Sequence, residues 1–148
     1  RGPDCVTCHG SHNIQKADIE IINDKRCSKC HSYERAMIMK QALSITEKKM
    51  AVINEDIRKL RTRGVFTGDE EKGLFSIQSE FRTLFHTIDV SLVKERTEGF
   101  ANKLGLIEKK IKETFEELGF RRRFSVFLML LFGSISLVLF LLSKSGRD

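Results

Sequence analysis

Apolar residues return at helical intervals along most of this chain. From Tyr33 onward, Ala36, Met39, Leu43, Thr46, Met50, Ile53, Ile57 and Leu60 step by 3, 4, 3, 4, 3, 4 and 3 residues, the seam of a heptad-patterned helix. Arg61 and Arg63 give it a basic last turn and Gly64 a stop. Thr67 and Glu70 in "TGDE" have capping-box spacing and predict the start of a second helix. Its seam runs through Leu74, Ile77, Phe81, Leu84, Ile88 and Leu92. Gly99 and Gly105 are expected to loosen or bend it, and Leu104, Ile107, Ile111, Phe115 and Leu118 carry an apolar face onward. The simplest arrangement is a mainly α fold, with a long antiparallel helical hairpin or stalk over residues 33–120. The Met and Phe residues read as seam packing. The first seam could close on the return helix, on another protomer or on a different subunit, so an oligomer or multi-subunit complex is expected.

The pattern changes at both ends. Phe124 to Leu142 is nineteen residues without a charge. At 1.5 Å per residue that is roughly 28 Å, close to the hydrocarbon thickness of a bilayer. A single transmembrane helix is expected within an anchor segment, residues 121–148, with membrane lipid as its partner and a short tail behind it. Residues 1–32 are poor in apolar residues yet hold all four cysteines and three of the four histidines. So short a segment buries too little apolar area to fold alone and needs a cofactor, metal or disulfides as its core. Little regular structure is expected there. The chain opens on Arg1 with no signal-peptide pattern before the first motif, so processing or an incomplete chain is expected to have removed the true start. The formal charge of +6 comes from interleaved signs, which a solvated helical surface explains, and nucleic-acid binding is not inferred.

The chemistry sits in "CVTCHGSHNI" and "CSKCHSYERA". Cys5, Cys8, Cys27 and Cys30 match the spacing of two zinc knuckles, and disulfides are a third possibility. None of these needs a histidine directly behind each pair. Covalent haem c does: two cysteines three apart form thioethers to one porphyrin, and the next residue, His9 or His31, is the proximal iron ligand. That leaves His12 and His86 for two distal positions, the full inventory for two bis-histidine haems. Such ligation leaves no open iron site, so the expected work is outer-sphere electron transfer between redox partners, with no catalytic residue. If one distal histidine is not a ligand, a five-coordinate haem could instead bind small nitrogen or oxygen species.

Residues 3–32 thus resemble the multihaem c-type cytochromes, and "CVTCHGSHNI" is close to their Cys-x-x-Cys-His-Gly-x-His form. The resemblance implies that His12 serves a neighbouring haem and that residues 1–32 end a larger multihaem domain. The later helices look loosely like the C-terminal helices of multihaem nitrite reductases and hydroxylamine oxidoreductase-like proteins. The membrane-anchored tetrahaem quinol dehydrogenases carry their anchor at the N-terminus, and this chain departs from them. In a straight hairpin turning near residue 66, His86 lies beside residue 47, roughly 24 Å along the helix from His31. Either the first helix bends, or His86 ligates the first haem or one contributed from elsewhere.

Haem c attachment places residues 1–120 on the extracytoplasmic, periplasmic side. Lys109, Lys110, Lys112 and Arg121 to Arg123 before the span, against Lys144 and Arg147 behind it, favour the opposite sidedness. A tail-anchored cytosolic zinc-knuckle and coiled-coil interaction protein fits that charge balance better. In the haem reading, the triple arginine meets anionic headgroups or a partner subunit.

Overall fold

The computed structural model describes residues 5–9, 18–29 and 32–145. The described residues hold helices and no strand: α1 (Cys5–His9), α2 (Asp24–Cys27), α3 (Tyr33–Thr62), α4 (Gly68–Thr83) and α5 (Val90–Ser145). Two 3-10 turns, Ile19–Ile21 and Leu84–His86, complete them. The chain divides into two compact units, Arg1–Glu108 and Lys109–Asp148.

In the first unit, α3 buries the whole predicted seam, from Ala36 to Leu60. Leu43 is 0% exposed, and each fully buried Leu or Ile of this kind contributes about 1.5–3 kcal/mol. Thr46 is the one polar member, and its hydroxyl donates to the Ala42 carbonyl at 3.0 Å, so the seam carries it without an orphaned group. Also buried in this unit are Leu74, Ile77 and Phe81 of α4, Leu84 of the 3-10 turn, and Val93, Phe100 and Leu104 of α5. Phe81 meets Phe85 and Phe100 edge-on, at centroid separations of 5.3 and 6.4 Å. At Gly73 an added Cβ would stand 3.2 Å from Cδ1 of Ile107, so the missing side chain lets α4 approach α5. Ion pairs edge these contacts at Lys49–Glu108 (3.0 Å), Lys103–Glu80 (3.4 Å) and Arg61–Glu71 (3.8 Å). All are solvent-exposed to a degree that limits each to about 0–1 kcal/mol. The seams therefore hold the unit, and the charges trim it.

The end of α3 follows its sequence. Gly64 has φ +78°, its N–H donates to the Arg61 carbonyl at 3.0 Å, and the Val65 N–H donates to the Leu60 carbonyl at 3.2 Å. This is a Schellman stop, with glycine taking the left-handed position. The start of α4 differs from expectation. Thr67 precedes the helix, but its side chain makes no capping bond, and its hydroxyl instead donates to Glu71 Oε1 at 2.9 Å. The Thr67 side-chain half of the expected capping box is therefore not made. A backbone bond from Glu71 N to the Thr67 carbonyl opens the helix, and three acidic residues in its first turn favour the N-terminal dipole.

The return arm also differs. It breaks at residues 84–89, and Gly99 and Gly105 lie inside uninterrupted helix. Ile88, expected in the seam, is 77% exposed, and Leu92 is exposed as well. The physical reason is a new cap: Asp89 Oδ1 accepts from Ser91 N at 2.9 Å and from Leu92 N at 3.1 Å, which starts α5. The seam then resumes in a shifted phase at Val93, Thr97, Phe100 and Leu104.

The second unit continues α5. Phe120 stacks on Phe124 at 6.2 Å, and Arg121 pairs with Glu117 at 2.6 Å. Its apolar stretch is long and apolar enough to cross a membrane, and none of that stretch is buried within the protein.

Two glycines give opposite predictions. Gly64→Ala forces an L side chain into the left-handed region and is expected to destabilise the first unit by about 1–2 kcal/mol. Gly99 is helical, with nothing within 4 Å of a Cβ, so Gly99→Ala is expected to stabilise by up to about 1 kcal/mol. Denaturant unfolding of the full chain in detergent, followed by far-UV circular dichroism, reads both signs.

Candidate cofactor-attachment site

The first motif forms α1, whose five residues run from Cys5 to His9. In a helical turn, positions four apart share a face, so Cys5 and His9 fall on the same side. Cys5 is exposed and His9 half-buried. A residue type that reacts at its sulfur is thus open to attachment, while the imidazole four residues on keeps partial cover.

The second motif begins in α2. Asn23 Oδ1 accepts from Arg26 N at 3.1 Å and caps the helix, while Asn23 Nδ2 donates back to the Glu20 carbonyl at 2.8 Å. One amide side chain therefore joins α2 to the preceding 3-10 turn. That turn is itself capped by Asp18, whose Oδ1 accepts from Glu20 N at 2.7 Å. Ser28 donates its hydroxyl to Asp24 Oδ1 at the other end of α2. Cys27 closes α2 and is half-buried. Cys30 and His31 lie outside the described residues, as does His12.

Two contacts fasten this segment to the first turns of α3. Tyr33 donates its hydroxyl to the Ile22 carbonyl at 3.5 Å, and Lys40 Nζ lies 2.7 Å from Glu20 Oε2. The Glu20 hydrogen bond holds the Lys40 ammonium above the ordinary lysine pKa, against a smaller opposing effect of desolvation. Glu55 is lowered in the same manner by the guanidinium of Arg58. The Asp18, Asn23 and Asp89 caps were not part of the sequence reading. Each is an Asp or Asn standing immediately before a helical run, a sequence signal that identifies an N-cap.

His86 ends the Leu84–His86 turn and is exposed, at the break between α4 and α5. α3 is one uninterrupted helix from Tyr33 to Thr62. Among the described residues, no three of His, Cys, Asp and Glu gather into a metal-holding group. The described residues therefore place Cys5 and His9 on one turn, and set Cys27 on a short helix docked against α3. The chain matches no known protein family, no curated protein and no solved structure.

The Lys40 pair gives a pH prediction with a definite sign. A lysine whose folded pKa is raised contributes stability in full below its unfolded value, near 10.4, and loses it as pH rises through the folded pKa. The Glu20–Lys40 contact is therefore intact at neutral pH and released in strong alkali. A pH titration of the Lys40 Cε resonance is expected to show a midpoint above the ordinary lysine value. In Glu20→Gln that midpoint is expected to fall back, and an unchanged midpoint would remove Glu20 as the cause.

Proposed function

We propose that this chain is the membrane-anchored end of a multihaem c-type cytochrome. It carries electrons by outer-sphere transfer between extracytoplasmic redox partners, as a subunit of a respiratory complex. The observation that carries the reading is the tandem Cys-x-x-Cys-His motif, with a further histidine for each haem. In this reading Cys5 with Cys8, and Cys27 with Cys30, hold two haems by thioethers; His9 and His31 are proximal ligands, and His12 and His86 distal ones. Haem c supplies a one-electron iron couple when bound.

The chain's own residues supply the setting. The single helical turn of α1 supports the reading, since both thioethers and the proximal imidazole of one haem must come from one side of the peptide. The Asn23, Tyr33 and Lys40 contacts support it by fixing the segment around Cys27 against α3, which limits its motion during electron transfer. The antiparallel pairing of α3 with α4 about Gly64 forms the stalk, and the apolar part of α5 crosses the membrane.

A zinc-knuckle head on a tail-anchored coiled coil is the second reading. The greater positive charge before the apolar segment than behind it favours that one.

Pyridine haemochrome spectra and intact mass of the full chain decide between them. Two covalent haems per chain are expected, falling to one in the Cys5→Ala, Cys8→Ala double variant. Stoichiometric zinc with no Soret band would replace the haem reading with the zinc one. Low-spin EPR signals accounting for every haem are expected, and a high-spin fraction would turn the reading towards a haem enzyme. His12→Met is expected to leave both haems attached, because only the cysteines form thioethers. It should raise the potential of one haem in a redox titration, since thioether ligation raises it.

A further inference from the structure

The second unit carries three consecutive arginines, and the structure separates their roles. Arg121 is occupied by Glu117 at 2.6 Å. Arg122 and Arg123 instead line a shallow concavity on the helix surface together with Gly119 and Val126. These four positions fall at i, i+3, i+4 and i+7, one face of a helix. Arg123 Nε donates to the Gly119 carbonyl at 3.3 Å, which folds its guanidinium back along the helix. A Cβ at Gly119 would meet nothing, so the glycine keeps this part of the face low without any packing need in the chain itself. Beyond Val126 the same face continues through Leu130, which is exposed, to Gly133, where a Cβ would again meet nothing. Glu116 stands on this face too, on the side of Gly119 away from the apolar stretch.

The geometry points to this face as a binding site for one anionic phospholipid, such as phosphatidylglycerol. The inference rests on the membrane-span part of the reading above and is independent of the haems. Two guanidinium groups with five donors each suit a phosphate bidentately, and they stand immediately before the uncharged stretch, at the depth of the headgroups. The low strip from Val126 to Gly133 then takes an acyl chain. A free phosphate would use only the polar end and gain nothing from Val126 or Leu130. A zwitterionic headgroup would bring its cationic amine towards the guanidinium groups. A net negative headgroup attached to a chain uses the whole face.

The test reconstitutes the full chain in mixed phosphatidylglycerol and phosphatidylcholine nanodiscs, and measures the relative association of spin-labelled forms of each lipid by EPR. The parent is expected to prefer phosphatidylglycerol. Arg122→Gln with Arg123→Gln should weaken that preference by about fivefold for each arginine removed. Arg121→Gln should leave it unchanged, because Glu117 already occupies that side chain. A preference that survives the double variant, or one abolished equally by Arg121→Gln, overturns the site. So does displacement of the lipid by millimolar inorganic phosphate, which would assign the pair to free phosphate. Loss of a co-purifying subunit from the double variant with lipid preference intact would assign the face to a protein. Carbonate extraction separates the two levels: a chain released to the soluble fraction loses both the span and the site. A retained chain with no lipid preference loses the site alone.

Discussion

The interaction on which the rest of the first unit depends is the burial of one apolar stripe along α3. Eight positions of α3 are buried along it, against three in α4 and one in the 3-10 turn, so it is the largest share of the apolar burial that these elements make. Surface ion pairs such as Lys49–Glu108 are too exposed to substitute for it. The eight buried positions of α3 recur in alternating steps of three and four residues, slightly short of the 3.6 of a straight helix, which favours a gentle left-handed wrap of packed helices. The cysteine-bearing segment depends on the same stripe at one remove, because Glu20 and Ile22 bind to α3 and have no apolar core of their own.

Much of this was legible from spacing. The α3 seam and its stop at Gly64 were read correctly residue by residue, because a long heptad repeat has one helical solution and glycine alone takes φ +78° without strain. The break at residues 84–89 was missed for a physical reason. Ile88 and Leu92 continue the seven-residue rhythm, and pattern alone cannot see that a local Asp89 cap competes successfully with one more turn of helix. The glycines at 99 and 105 misled in the opposite direction. Their cost of about 1 kcal/mol each is easily overcome inside a helix whose neighbours Phe100 and Leu104 are deeply buried.

The cofactor motif is legible in a different sense. The haem role proposed for Cys-x-x-Cys-His rests on residue types and their spacing, and not on packing. Near it the structure adds local order: the caps at Asp18 and Asn23, the exposed Cys5 and the half-buried His9 and Cys27. In the proposed haem reading, the pairing of distant histidines would depend on how macrocycles stack, which no local spacing records. Helical periodicity carries no information on that.

The 3–4 spacing of the α3 seam also sets a rule for how such a protein can change length over evolution. Deleting one residue from α3 between Leu43 and Thr46 turns everything beyond it by about 100° and brings Glu47, Asn54 and Arg58 to the places where Thr46, Ile53 and Ile57 now sit. Deleting seven turns it by only about 20° and shortens the helix by roughly 10 Å. A length change within α3 therefore keeps the seam in register only when it comes in whole heptads.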